Sequence, residues 1–208
     1  MSDHSDTARL DWSKGDGLLP AIVQHGSSGE VLMLGYMNAE ALARTRASGH
    51  VTFYSRSRKR LWTKGESSGN VLMLKSIRID CDGDTLLIEA EPRGPTCHTG
   101  SFSCFGDRAD VRTPLGFLAE LDALVAQRHA ERPAGSYTTT LFDSGIRRIA
   151  QKVGEEGVET ALAAVAQDDD ALLGEGADLV FHLVVALRAR GLSLADVVAV
   201  LAGRHRLR

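Results

Sequence analysis

The sequence predicts two domains in tandem, an N-terminal α+β domain and a C-terminal all-α helical bundle. Three observations carry this expectation. Short apolar runs punctuated by Gly, Ser and Asp fill the first half, and apolar residues recur at three- and four-residue intervals in the second. Between them lies GDRADVRTPLG, polar and without apolar periodicity, as expected of a segment joining domains. At 208 residues, with 43% hydrophobic and 25% charged residues, the chain has room for one large domain or two small ones. The change of texture favours two, with expected limits 1–112 and 113–208.

In the first half, AIVQH, VLMLGYM, VTFYSRS, RLWTKG, LMLKSIRID and TLLIEAE read as strands. One helix interrupts them from Asn38 to about Ser48: Asn38 can cap its free N–H groups, Leu42 supplies an apolar face and Gly49 stops it. In the second half FLAELDALVAQRHAER, SGIRRIAQKVGEEGVETALAAVAQ, ALLGEGADLVFHLVVALRARG and SLADVVAVLAG give four expected helices. Asp143 and Ser193 stand where caps belong, Ser193 has Asp196 three residues on, and Gly191 follows the third helix.

A formal net charge of −3 and a pI near 6.2 argue against a general nucleic-acid-binding surface. No apolar run reaches the roughly 20 residues of a membrane span, and the polar N-terminus MSDHSDTARLDW lacks signal-peptide character, so a cytoplasmic protein is expected. Its three cysteines cannot all pair within one chain; metal binding or catalysis suits them better than a disulfide framework, with burial as small hydrophobes the plain alternative.

In IDCDGDTLL, an extended backbone would send Asp80, Asp82 and Asp84 to one face, and Cys81 to the other. Clustered carboxylates repel unless a cation separates them, and hard ions such as Mg²⁺ or Ca²⁺ take oxygen ligands; an acidic turn is the competing reading. An EF-hand fails, because Thr85 stands where the loop needs Gly and a strand follows. In GPTCHTGSFSCF, six residues separate Cys97 from Cys104. With Cys81 they make three thiolates, suited to Zn²⁺ with a fourth position left for water, whose proton is then lost more easily. Spacing alone leaves buried or redox thiols open. His98 would be a fourth ligand or a free proton shuttle; ligation by adjacent residues is awkward and favours the shuttle. The run YSRSRKRLWTKGESSGN brings Arg56, Arg58, Lys59, Arg60 and Lys64 to a Gly- and Ser-rich turn suited to phosphate oxygens, or to a solvated hairpin edge.

Taken together, SRSRKRLWTKGESSGN, DCDGD and GPTCHTGSFSCF resemble phosphoribosyl-AMP cyclohydrolase over essentially the whole first domain. The resemblance implies a homodimer with zinc held between chains, Cys81 from one subunit and Cys97 with Cys104 from the other, and Mg²⁺ on Asp80, Asp82 and Asp84. It also implies zinc-activated water adding at C6 of an N1-alkylated purine and breaking the C6–N1 bond, with His98 transferring protons and Arg56, Arg58, Arg60 and Lys64 binding substrate.

In QKVGEEGVET, Glu155, Glu156 and Glu159 share one side of a helix, and GEGADLV sets Glu175 and Asp178 three apart on the next. A short connection would make the two helices antiparallel neighbours, so that five acids face one another and hold Mg²⁺ for attack on a phosphoryl group. A salt-bridged surface helix is the alternative, against which positive partners look sparse. Lys152, one turn earlier, would contact phosphate or pair with the acids. His182, amid LVFHLVVAL, reads as a satisfied core histidine, and Trp62 as a packing residue close enough to the basic run to touch a ligand.

The pattern Glu-Glu-x-x-Glu followed by Glu-x-x-Asp resembles the all-α nucleotide pyrophosphohydrolases, and SYTTTLFDSG narrows the likeness to phosphoribosyl-ATP pyrophosphohydrolase. The resemblance implies that Glu155, Glu156, Glu159 and Asp178 hold Mg²⁺ and that one Glu activates water, for which Glu156 is the expected catalytic residue; Glu175 is expected as a further ligand or as the orienter of one, and Ser136, Tyr137, Thr138 and Lys152 as substrate-binding residues. It implies two consecutive hydrolyses in histidine biosynthesis, the helical domain acting first. A nucleotide-sanitising pyrophosphohydrolase with a structural zinc domain, and a non-enzymatic metal-binding dimer, are the alternatives.

Overall fold

The computed structural model describes residues 9–107, 113 and 115–205. The chain divides into two compact units, Met1–Gly116 and Phe117–Arg208. Residues 108–112, at which the expected boundary falls, lie outside the described residues.

In the first unit a 3-10 turn (Trp12–Gly15) leads into β1 (Leu19–His25), β2 (Val31–Met37), α1 (Ala39–Ser48), β3 (Thr52–Ser55), β4 (Arg60–Thr63), β5 (Leu72–Ile79) and β6 (Leu86–Pro92). The larger sheet has order β2-β1-β6-β5, with β1 and β6 parallel and the other neighbours antiparallel; β3 and β4 form a separate hairpin. Alternation sets the buried face: Leu19, Ala21 and Val23 of β1 point inward, and pairing places Ala21 beside Leu86 and Val23 beside Ile88. Met37, Leu42, Phe53 and Leu72 complete this core.

Helix α1 has the expected limits. The Ala41 N–H donates to Asn38 Oδ1 at 2.8 Å, and Gly49 ends the helix at φ 71°. Buried Thr45 then ties α1 to β3, its hydroxyl accepting from the Thr52 N–H at 2.9 Å. One close approach holds the hairpin against the sheet. A Cβ on Gly35 would lie 2.3 Å from the Phe53 ring, which is fully buried and stacked on Trp62 at 5.0 Å between centroids.

Between β5 and β6 the expected extended backbone is replaced by a turn. Strand β5 stops at Ile79, and Asp80 Oδ1 accepts from the N–H groups of Asp84 at 3.0 Å and Thr85 at 3.2 Å. A short polar side chain thus satisfies backbone donors that a strand ladder would otherwise use, and Gly83 supplies the left-handed residue at φ 79°.

The second unit has five helices among its described residues: α2 (Gly116–Glu131), α3 (Tyr137–Asp143), α4 (Ile146–Ala166), α5 (Asp169–Ala189) and α6 (Leu194–Arg204). The additional short helix is α3, begun by Ser136, whose oxygen accepts from the Thr139 N–H. Asp143 ends α3 instead of capping α4 and pairs with Arg132 at 2.6 Å; the residue before α4 is Gly145, which makes no side-chain cap. Asp168 caps α5, and Ser193 with Asp196 forms a reciprocal box on α6. The core joins Val125, Leu141, Phe142, Ile149, Val184 and Val185, with Arg188 clamped on Asp122 beside it. The break between α4 and α5 is only Gln167 and Asp168, so these helices return alongside each other. No helix among the described residues is long and apolar enough to cross a membrane.

Two substitutions test these supports. Gly35→Ala should cost about 1–3 kcal/mol, because the packed Phe53 ring has nowhere to move; urea unfolding of the first unit measures it. Ser193→Ala should destabilise the helical unit by about 1 kcal/mol. Hydrogen bonds from the Ser193 hydroxyl and N–H hold the Asp196 carboxyl below its ordinary value. Its contribution is therefore present above that ordinary value and lost as pH falls through the lowered one. Thermal melts across the acid range should show that Asp196→Asn removes this part of the pH dependence.

Candidate functional site

The first unit gathers reactive groups at two places. At the β5–β6 turn, Asp80, Asp82 and Asp84 each offer a carboxylate oxygen, all within 4.8 Å of one another. The N-terminal segment buttresses this turn: the Asp11 N–H donates to the Gly83 carbonyl at 2.8 Å, and Lys14 Nζ lies 2.5 Å from Asp82 and 3.4 Å from Asp84. The Asp82 hydrogen bond in turn holds the Lys14 ammonium above its ordinary pKa. Desolvation alone would raise the Asp80 carboxyl, but the Thr85 N–H, the Asp84 side chain and the N–H groups of Asp84 and Gly83 together outweigh it and hold Asp80 low. Exposed Cys81 sits among these acids, its sulfur 3.9 Å from Asp82 Oδ1, and so does not occupy an opposite strand face.

The second place is a cavity of about 500 Å³ lined by Ser55, Arg58, Arg60, Trp62, Lys64, Ser67, Ser68, Thr96, His98 and Cys104 among others. Strand β4 supplies Arg60 and Trp62, and the loop after it turns sharply at Gly65. There φ is 82°, and a Cβ would come within 2.3 Å of the Asn70 carbonyl carbon. The cysteine loop is pinned to β2 by the Cys104 N–H on the Leu32 carbonyl at 2.8 Å and by the Ser103 hydroxyl on the Val31 carbonyl at 2.8 Å. Within that loop the Thr99 hydroxyl donates to Cys97 Sγ at 3.0 Å and lowers the Cys97 pKa, while desolvation and then the Cys97 charge raise that of Cys104. Cys97 is accordingly the first of the two thiols to ionise. Burial lowers the pKa of Lys64, which lies close enough to feel both sulfur charges.

Arg58, Arg60, Lys64, His98 and Cys104 thus share one cavity, whereas Arg56 lies over the Tyr36 ring at 3.8 Å from its centroid. Trp62 both packs on Phe53 and lines the cavity. The converging ligand groups among the described residues include no cysteine, so a single chain does not bring Cys81 to Cys97 and Cys104.

In the second unit Glu156, Glu175 and Asp178 converge, with ligand atoms within 4.8 Å. Glu156 is only 4% exposed, and Lys152 Nζ lies 2.7 Å from it, which keeps its carboxyl ionised below the usual range. Glu159 adjoins the group; desolvation and the charges of Glu156 and Glu175 raise its carboxyl. Glu155, one residue and about 100° around the helix from Glu156, turns outward to Lys152 at 3.0 Å, Gln151 at 2.7 Å and Arg148 at 3.4 Å. Positive partners are therefore closer at hand than the sequence suggests, because Arg148 reaches two turns along α4. Of the expected substrate residues, Ser136 caps α3, Tyr137 is exposed and Thr138 half-buried. His182 joins the site as well: Nδ1 is 3.6 Å from Glu156 Oε1, and Nε2 is 3.2 Å from the Tyr137 hydroxyl. The apolar run around His182 conceals this role, and only its place one turn after Asp178 hints at it.

Comparison with known proteins agrees with this division. Residues 33–106 match the family Phosphoribosyl-AMP cyclohydrolase, and residues 118–205 match Phosphoribosyl-ATP pyrophosphohydrolase. The histidine biosynthesis bifunctional protein HisIE of Xanthomonas axonopodis pv. citri is 67% identical over 198 residues, covering 95% of this chain and 94% of that protein. The HisIE protein of Escherichia coli (strain K12) is 58% identical over 205 residues, 99% of this chain and all (100%) of its own. The chain therefore belongs to the family of bifunctional HisIE hydrolases of histidine biosynthesis, in which a phosphoribosyl-AMP cyclohydrolase is joined to a phosphoribosyl-ATP pyrophosphohydrolase.

Proposed function

We propose that residues 113–208 act first, cleaving phosphoribosyl-ATP between its α and β phosphates, and that residues 1–112 then open the adenine ring of the resulting phosphoribosyl-AMP at C6–N1. The observation that carries this reading is the pairing of one all-oxygen ligand cluster, Glu156, Glu175 and Asp178, with one cavity combining thiol, imidazole and fixed cations.

The helical acids suit Mg²⁺, a hard ion that prefers oxygen donors. Glu156, Glu159, Glu175 and Asp178 would hold it from the inner face, with Glu155 at the outer edge; when bound, it neutralises charge on the phosphate oxygens. Glu156 directs the attacking water and takes its proton. As oxygen adds to phosphorus the bridging P–O bond breaks, and pyrophosphate departs. Lys152 shifts from the acids to a phosphate oxygen, while Ser136, Tyr137 and Thr138 border the nucleotide.

In the first domain, sulfur donors suit Zn²⁺ better than Mg²⁺. Cys97 and Cys104 share one loop and Cys81 stands apart on an exposed turn, which supports Cys81 arriving from a second subunit. Zinc, when bound, supplies the acidity that makes water a nucleophile at neutral pH. His98 accepts a proton as the water oxygen bonds to C6 and returns one to N1 as the C6–N1 bond breaks. Arg58, Arg60 and Lys64 hold phosphate within the cavity; Arg56, which lies over Tyr36, is a further substrate-binding cation. Asp80, Asp82 and Asp84 take Mg²⁺ in competition with Lys14. A homodimer is further supported by an exposed apolar stripe on α4, in which Val158, Leu162 and Val165 are 60%, 54% and 82% exposed at helical spacing. The reading places the protein in the cytoplasm, where thiols remain reduced.

Given phosphoribosyl-ATP with Mg²⁺ and Zn²⁺, the Cys97→Ser variant should release pyrophosphate normally and accumulate phosphoribosyl-AMP. Glu156→Gln should release no pyrophosphate yet still open the ring of added phosphoribosyl-AMP. Reversal of these phenotypes, followed by chromatography, would refute the division of labour. Lys14→Met removes the competing ammonium, so calorimetric titration should show divalent cations binding the first domain at least about threefold more tightly; unchanged affinity would count against the Asp80–Asp84 site.

A further inference from the structure

A buried histidine in an apolar helix ordinarily spends both ring nitrogens on core groups. His182 is only 4% exposed, yet its outer nitrogen, Nε2, is 3.2 Å from the hydroxyl of Tyr137, a residue 56% exposed. Its inner nitrogen, Nδ1, is 2.9 Å from the Asp178 carbonyl and 3.6 Å from Glu156 Oε1. A carbonyl oxygen can only accept, so Nδ1 carries a proton, and in the neutral ring Nε2 then accepts the proton of the tyrosine hydroxyl. Phe181 limits tilting of both rings, stacked near Tyr137 at 6.2 Å and edge-on to His182 at 5.2 Å. With its hydrogen committed inward, the phenol presents only lone pairs to solvent. One imidazole therefore connects an exposed acceptor to the backbone of Asp178, with Glu156 alongside.

We propose that His182 is a positioning residue of the pyrophosphohydrolase site: it fixes the Tyr137 hydroxyl as a hydrogen-bond acceptor for substrate and ties that acceptor to the acid cluster. The proposal rests on the assignment of Glu156 and Asp178 to that site. It extends the site beyond the carboxylates to a substrate-facing group whose direction is set from the core.

The test uses the full chain, phosphoribosyl-ATP and Mg²⁺, with pyrophosphate release as readout and ring opening of added phosphoribosyl-AMP as the folding control. Tyr137→Phe should raise KM about 10-fold and lower kcat by no more than about threefold, since the lost bond serves binding. His182→Asn keeps a donor near Nδ1 but loses the Nε2 acceptor, and should raise KM similarly. His182→Gln, whose amide reaches the Nε2 position, should restore KM to within about threefold of the unmodified protein. The double variant Tyr137→Phe/His182→Asn should be no worse than the poorer single one, because both remove the same interaction. Multiplying effects, or a fall in melting temperature with KM unchanged, would overturn the proposal. Retention of pyrophosphate release by Glu156→Gln would overturn the underlying site assignment; loss of release in Glu156→Gln combined with independent Tyr137 and His182 effects would sink the positioning role alone.

Discussion

Repulsion between like charges held close together is the constraint on which both units depend. Among the described residues, three carboxylates within 4.8 Å of one another occur twice, at the Asp80–Asp84 turn and on α4 and α5. Neither arrangement would persist without local compensation. At the turn, backbone N–H groups and Lys14 provide it. On the helices, Lys152 stands over Glu156, and α4 packs along α5. In each case a lysine stands beside the acids and offsets part of their charge.

The two candidate sites are built from different materials. Hydrolysis needs a water that loses its proton readily and a neighbouring group to receive that proton. The helical site is all oxygen and sits on rigid secondary structure. The cavity of the first unit is built largely from loops, but these are tied down. Gly65 forces the turn after β4 against Asn70, while Ser103 and Cys104 anchor the cysteine loop to β2. Loops can therefore carry precise chemistry here because the sheet fixes their ends.

The environment also differentiates chemically similar groups. Cys97 and Cys104 are both thiols, yet the Thr99 hydroxyl favours ionisation of the first while desolvation and charge disfavour that of the second. Glu156 and Glu159 occupy one face of α4, yet Lys152 holds one low while crowding raises the other. Such separation assigns different proton affinities within a cluster without any change of residue type.

By itself the sequence determined the strands, the caps at Asn38 and Ser193, the tandem α+β and all-α halves, and the acid-rich and thiol-rich motifs. These are local: alternation, helical spacing and capping act over a few residues, so neighbours in sequence disclose them. Local spacing also misled where two local forces competed. Asp80 closed a turn where alternation implied a strand, and Asp143 ended a short helix where it looked like the cap of the next. Tertiary structure alone decided which members of each motif meet. It brought Lys14 to Asp82 across 68 residues and Tyr137 to His182 across 45, turned Glu155 outward beside inward Glu156, and drew Arg56 onto Tyr36. The reason is physical: such contacts depend on the relative placement of whole elements, which burial of the apolar faces dictates and no local spacing of polar residues records.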